Sequence, residues 1–275
     1  MDYTINVRGQ LMSFEEPIVM GILNATPDSF FSGSRMQTEE QISSRANQII
    51  AEGGKIIDVG AFSTRPGAAF VSGKEEMKRM RNALSIVRRV QPDAIVSVDT
   101  YRPDVAKMSV EEFGADIIND VSEGGITGIV DTPLAERSDI FETVAKLNVP
   151  YILMSVKSNL RDMLIAFADE VQRLRDLGQK DIILDPGFGF GKSLAQNYAI
   201  LDEMEKIHIM ELPILVGVSR KRMIWQLLNN SAEEAMNGTV VIDTIALTKG
   251  ANILRVHDVK PAVESIQIYN ALKKK

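Results

Sequence analysis

Ile182-Ile-Leu-Asp185-Pro-Gly-Phe-Gly-Phe-Gly-Lys192 passes from an apolar, β-branched run into a polar, glycine-rich turn. The run, Ile182–Leu184, reads as a buried strand. Just before it, Leu160, Met163, Leu164, Phe167, Val171 and Leu174 recur at helical spacing, and Gly178 ends that helix. The same alternation extends in both directions. Further strands are expected at Ile18–Leu23, Ile56–Val59, Ile95–Val98, Asp116–Ile118, Pro150–Met154, Ile214–Val218 and Ala251–Val256. Amphipathic segments lie between them. Thr38–Glu52 opens on a capping box, Thr38 with Gln41, and stops at Gly53-Gly54. Ala262–Leu272 reads as a last helix running into lysines. Repeated βα alternation makes a parallel sheet with helices outside. Eight such units without a linker-like stretch predict one (βα)8 TIM barrel domain over residues 1–275, not an open doubly wound sheet. Alternating Tyr3, Ile5 and Val7 predict a short N-terminal hairpin capping the barrel floor.

Composition narrows the chemistry. The chain has no cysteine, which excludes disulfides, thiolate metal sites and cysteine nucleophiles. Its only histidines are His208 and His257, too few for a barrel hydrolase built on several histidine metal ligands. A net charge of -6 argues against a nucleic-acid footprint, so an anionic substrate has to meet a local cluster of cations. The start lacks the apolar stretch of a signal peptide, and no run is long enough to span a bilayer. A cytoplasmic location is expected.

In such barrels chemistry gathers where strands end. Polar residues follow nearly every apolar run here: Asn24 to Asp28, Asp58 and then Ser63-Thr-Arg-Pro-Gly67, Asp99, Asn119, Asp185, Ser219 with Arg220 to Arg222, and Arg255 with His257. Each has a bland reading when taken alone. Asp99 is equally a helix N-cap, and Ser219 a cap for the helix after it. Asn119 satisfies loose backbone groups, and Asp185-Pro186 breaks the chain. Arg220 and Arg222 sit on the surface, His257 is structural, and Asp58 pairs with a basic residue inside the barrel. These readings weaken together, because they require polar residues to end strand after strand on one face by chance.

The glycine-rich turn is not a nucleotide loop. Gly191-Lys192-Ser193 fits the end of a P-loop, but Pro186 stands where its first glycine belongs. Gly187, Gly189 and Gly191 suit close approach to a flat ligand, with Phe188 and Phe190 available for stacking or loop packing. Asp99, Asp185 and Asn119 suit a ring rich in N–H groups. Lys221, Arg255 and His257 suit an anion or a carbonyl. Together they point to a polar heterocycle carrying phosphate.

The strand-end segments resemble those of dihydropteroate synthases. The stretches are Gly21-Ile-Leu-Asn-Ala-Thr-Pro-Asp-Ser-Phe30, Ser63-Thr-Arg-Pro-Gly67, Ser97-Val-Asp-Thr-Tyr101, Ile118-Asn-Asp-Val121, Leu184 to Lys192, Leu215-Val-Gly-Val-Ser-Arg-Lys221 and Arg255-Val-His-Asp-Val259, in the family's order. The resemblance implies a homodimeric transferase of folate biosynthesis and a sulfonamide target. It implies condensation of 6-hydroxymethyl-7,8-dihydropterin diphosphate with 4-aminobenzoate and release of diphosphate. By position, Asp99, Asn119, Asp185, Lys221 and Met154 should hold the pterin, with Gly217 beside them. Asn24, Arg255 and His257 should meet the diphosphate, with Mg²⁺ near Asn24. Thr64, Arg65, Pro66, Phe188, Ser219 and Lys221 should receive the aminobenzoate, with Phe190 a further substrate-binding residue. Asp28, Asp99, Lys221, Arg255 and His257 are the expected catalytic residues.

This sequence departs from the family pattern in two places. Ser155 stands where the family has a histidine after strand five, and the run to the next helix is short. Ser32 stands where the first loop often carries an aspartate. Two other readings follow: a pterin-binding paralogue with weak catalysis, and a pterin-dependent methyltransferase. The latter should lack the Ser63–Gly67 loop and the clusters at Lys221 and Arg255.

Overall fold

The computed structural model describes residues 3–25, 38–62, 71–123 and 140–273. The expected Asp28, Phe30, Ser32, Thr64, Arg65 and Pro66 lie outside the described residues. The chain opens with the predicted hairpin, β1 (Thr4–Val7) against β2 (Gln10–Ser13). Its turn is Arg8-Gly9, both with positive φ (52° and 78°), the two-residue geometry that matches strand twist.

Eight parallel strands follow: β3 (Ile18–Asn24), β4 (Ile56–Gly60), β5 (Ile95–Asp99), β6 (Ile117–Asp120), β7 (Tyr151–Met154), β8 (Ile182–Asp185), β9 (Leu215–Val216) and β10 (Ile253–Val256). They pair in the order β8-β7-β6-β5-β4-β3-β10-β9. A parallel bridge from Leu184 to Ile214 joins the two ends, so the sheet closes. Some strands are shifted or shorter than their apolar runs. β6 runs on to Asp120, and β9 keeps only two residues of Ile214–Val218, because pairing, not hydropathy, sets the limits.

Helices lie outside: α1 (Glu39–Ala51), α2 (Gly73–Val90), α3 (Pro103–Phe113), α4 (Ile140–Leu147), α5 (Leu160–Asp176), α6 (Leu194–Asp202), α7 (Arg222–Leu228), α8 (Met236–Thr248) and α9 (Val259–Lys273). Both halves of the Thr38–Gln41 capping box form. The tail helix begins earlier than expected, at Val259. Pro261 falls in its first turn, where a missing N–H leaves no helix bond unmade. Among the described residues no helix is long and apolar enough to cross a membrane.

Strand periodicity explains where the site must lie. Val19, Ile57, Val96, Ile118, Leu153, Leu184, Val216 and Leu254 join the core between sheet and helices. Their neighbours Met20, Ile56, Ile117, Ile152, Ile183, Leu215 and Ile253 fill the barrel interior, where Ile5, Val7 and Phe14 of the hairpin pack with them. Two residues further along the same inward side come Asp58, Ser97, Asn119, Met154, Asp185, Gly217 and Arg255. The interior thus turns from apolar to polar one layer above the floor.

Candidate active site

Arg255 organises that polar layer. Its Nε donates to Asp58 Oδ2 at 2.6 Å and its Nη2 to Asp99 Oδ2 at 2.7 Å, so one guanidinium spans two carboxylates. Asn119 Nδ2 donates to the same Asp58 oxygen at 3.2 Å. The expected pairing of Asp58 with a basic residue is therefore present. Asp58 Oδ1, Asp99 Oδ1 and Asn119 Oδ1 are buried acceptors that receive no hydrogen bond among the described residues. Buried polar atoms are rarely left so. Three together, at the ends of neighbouring strands, mark a place for a ligand rich in N–H donors.

Asp185 completes this floor. It pairs in register with Met154, and its Oδ1 accepts from Gly187 N at 2.7 Å. Gly187 has φ of 65°, and a Cβ there would stand 2.1 Å from Ser155 O, so only glycine lets the turn close. Lys221 comes across from the end of β9. Its Nζ donates to Phe188 O at 2.5 Å and lies 4.5 Å from the centre of the Phe190 ring. Gly217 leaves open the side next to Arg255, its nearest neighbour.

Burial shapes the charges. It raises Asp99 to about 7; Arg255 opposes the rise, and Asp58, Glu76 and Asp120 add to it. Lys221 is lowered to about 7 by burial, against the pull of Asp185. Burial also works against the charge on Arg255, but Asp58 and Asp99 outweigh it and raise its pKa. His257 is held well below the usual imidazole range, first by burial and then by Arg255, Arg45, Arg220 and Lys221. It is neutral in the free protein.

Several expectations change. Phe188 is 0% exposed and belongs to the core between sheet and helices, so it offers its carbonyl rather than its ring. Phe190, half-buried, keeps its ring beside Lys221. Ser219 does not cap α7; its Oγ accepts from His257 N at 3.1 Å, tying β9's end to β10's, and Lys221 holds the N-cap position. Asp99 is no helix cap either, since α3 starts after Arg102. Arg222 is exposed as expected, but Arg220 is only 5% exposed. A φ of 54° at Arg220 turns it inward onto Asp258 at 2.7 and 3.0 Å and onto the carbonyls of Ala232 and Glu233. Arg220→Ala should therefore cost stability, about 3 kcal/mol by analogy with other broken buried pairs. Urea unfolding checks this, and a change below about 0.5 kcal/mol counts against it.

Ser155, in place of the histidine, turns from the pocket and donates to Glu123 Oε1 at 3.1 Å. Lys192, the lysine of the P-loop-like segment, binds no phosphate cradle. Its Nζ donates to the carbonyls of Ser155, Gly187 and Phe190, pinning the β8 turn to β7. Beneath Asp99, Glu76 pairs with Arg102 and accepts from Thr100 Oγ1, a support that sequence reading missed because Glu76 sits in a helix far from any strand end.

Carboxylate and amide acceptors inside an apolar barrel, under a rim of lysine, arginine and histidine, define a barrel enzyme for a nitrogen heterocycle that bears an anion. Residues 20–257 match the family of pterin binding enzymes. The chain is 38% identical to the dihydropteroate synthase of Escherichia coli (strain K12), over 96% of this chain and 94% of that one. A Yersinia pestis dihydropteroate synthase, solved with a sulfonamide drug, superposes with a TM-score of 0.88 at 35% identity, covering 98% and 99% of the two chains. One from Xanthomonas albilineans, solved with 4-aminobenzoic acid, gives 0.86 at 30% identity over 100% of both. The chain belongs to the dihydropteroate synthase family.

Proposed function

We propose that this barrel condenses 6-hydroxymethyl-7,8-dihydropterin diphosphate with 4-aminobenzoate, giving 7,8-dihydropteroate and diphosphate. The observation that carries the reading is the set of orphaned acceptors on Asp58, Asp99 and Asn119 below a cationic rim. In this reading Asp99, Asn119 and Asp185 accept the pterin's N–H groups, Lys221 donates to its acceptors, and Met154 lines the apolar wall. Arg255, His257 and Asn24 face the diphosphate. The bond between the pterin methylene and the diphosphate oxygen breaks first, its electrons leaving with oxygen. The electron-rich ring carries the resulting cation until the aminobenzoate nitrogen attacks and sheds a proton. Arg255 offsets charge on the departing group. His257, being neutral, contributes an N–H rather than a full charge. No activated nucleophile from the chain is required.

Magnesium fits the donors present. Asn24 offers a hard amide oxygen at the end of β3, held against Gly60, where a Cβ would come within 3.1 Å of Asn24 Oδ1. Mg²⁺ commonly binds through one or two protein oxygens, substrate phosphates and water. Asn24 would hold it, and the metal would supply further charge neutralisation to the leaving diphosphate. Phe190, Ser219 and Lys221 fall to the aminobenzoate end. A sulfonamide should compete with 4-aminobenzoate rather than with the pterin. We further assign a homodimer. Leu227, Leu228, Met236, Val241 and Ile245 of α7 and α8 are exposed apolar residues, and a covered face there should give a dimer mass in light scattering.

The deciding assay is diphosphate release with pterin diphosphate, 4-aminobenzoate and Mg²⁺, each omitted in turn. Release that needs all three supports the reading; pterin binding without release overturns it. The same assay tests a pH profile. Lys221, depressed to about 7, loses its charge as pH rises through that value. Asp99, raised to about 7, loses its charge as pH falls through it. Activity that needs both charges should follow a bell centred near pH 7, and a flat profile from pH 6 to 8.5 rules this out.

A further inference from the structure

One cation near the site has no part in the mechanism above. Arg45 lies on the buried face of α1 among Ile42, Ala46 and Ile49, and only 7% of it is exposed. Its Nε donates to Ile22 O at 3.0 Å and its Nη2 to His257 O at 2.6 Å. Its Nη1 reaches Gln48 Oε1 at 3.1 Å. One planar fork thus grips the upper ends of β3 and β10, which are neighbours in the sheet. Those ends carry Asn24 and His257.

The charge on Arg45 is the unusual part. Arg255 is balanced by Asp58 and Asp99, and Arg220 by Asp258. Among the described residues no carboxylate lies within ion-pair distance of Arg45; only the more distant fields of Glu52 and Asp258 reach it. Burial lowers its pKa, but an arginine keeps its proton in a protein. A buried charge without a counter-ion is costly, and an apolar side chain would complete this stripe at no such cost. An anion arriving at the ends of β3 and β10 supplies the missing counter-charge.

We propose that Arg45 is a positioning residue for the diphosphate: its charge draws the anion to the β3 and β10 ends, and its fork holds the Ile22 and His257 carbonyls, and with them the strand ends that carry Asn24 and His257. The proposal rests on the assignment of diphosphate to Asn24, Arg255 and His257. Arg45 need not touch the substrate. Its field also falls on His257, together with those of Arg255, Arg220 and Lys221.

Calorimetric titration with inorganic diphosphate and, separately, with 6-hydroxymethylpterin tests it, both with Mg²⁺ present. Arg45→Gln keeps amide donors for the carbonyls and removes the charge. It should weaken diphosphate about tenfold while leaving the uncharged pterin within about twofold. Arg45→Lys keeps the charge and loses the fork; diphosphate should stay within about threefold of wild type. Arg45→Leu completes the apolar stripe and serves if the Gln variant does not fold, with the same tenfold selective loss expected. Unchanged diphosphate affinity in a neutral variant, or equal losses for both ligands, overturns the proposal and leaves Arg45 a brace. Wild-type protein that binds pterin but not diphosphate overturns instead the assignment beneath it.

Discussion

Arg255→Ala should lower kcat/KM for diphosphate release by about a thousandfold, in the range seen when a preorganised charge is removed from a developing anion. Two losses combine. The diphosphate loses a cation, and Asp58 and Asp99 lose the guanidinium that spans them at 2.6 and 2.7 Å. Asp99 is already raised to about 7 by burial, with Arg255 as the first influence holding it down. Without Arg255 its pKa rises further, so at neutral pH it is protonated and offers the pterin a hydroxyl in place of a carboxylate oxygen. Arg255→Lys should recover only part of the activity, since an ammonium cannot span both carboxylates in the same fixed geometry. The control is Arg222→Ala, an exposed residue whose guanidinium donates to Gln226. Steady-state rates for the three variants decide the matter, and small, equal effects of Arg255→Ala and Arg222→Ala sink the role given to Arg255.

Asp185→Asn should weaken 6-hydroxymethylpterin by about a hundredfold, with little change for inorganic diphosphate. The substitution keeps the shape of the side chain, so the β8 turn can still form through Gly187 N. What it removes is a charged acceptor, and it can turn an NH₂ toward the donors of the ring. There is a second effect through Lys221. Asp185 is the first influence holding the lysine's pKa up against burial. Its neutralisation lets that pKa fall below about 7, so the alkaline limb of the pH profile should move to lower pH. Calorimetry with the pterin measures the first effect and the rate profile the second. Unchanged pterin affinity would falsify the assignment.

Much of this site was legible in the sequence because strands alternate. Ile56 and Asp58, Ile117 and Asn119, Ile183 and Asp185, and Ile253 and Arg255 each stand two residues apart, so an inward apolar residue announces an inward polar one. The hairpin with its Tyr3, Ile5 and Val7 pattern was legible for the same reason. Less so were residues whose direction depends on a turn. Phe188 and Phe190 look equivalent in sequence, but positive φ at Gly187 and Gly189 sends one ring into the core and leaves the other beside Lys221. Arg220 reads, with Arg222, as one of two surface arginines until its left-handed backbone brings it onto Asp258. Helix residues that serve the site from behind gave the faintest signal. Arg45 interrupts an apolar stripe, which is visible, but nothing in the sequence says that its partners are the carbonyls of Ile22 and His257. Glu76 likewise depends on a contact with Arg102 that no local pattern predicts.

The hairpin that plugs the floor also bears on how the molecule is made. Arg8 clasps Asp116, Asn6 N meets Asp181, and Tyr3 stacks on His208, so the hairpin finds its partners one after another, the last of them far along the chain. Strand β3 waits longer still for β10, which joins it from Ile253 onward. Until then Ile5, Val7 and Phe14 and the apolar faces of the early strands lack their full cover. Such long-range closure makes folding slow and leaves nascent intermediates prone to association. Newly made chains should therefore reach the native barrel only once β10 has emerged, and chaperone capture should be strongest on chains stalled before β10.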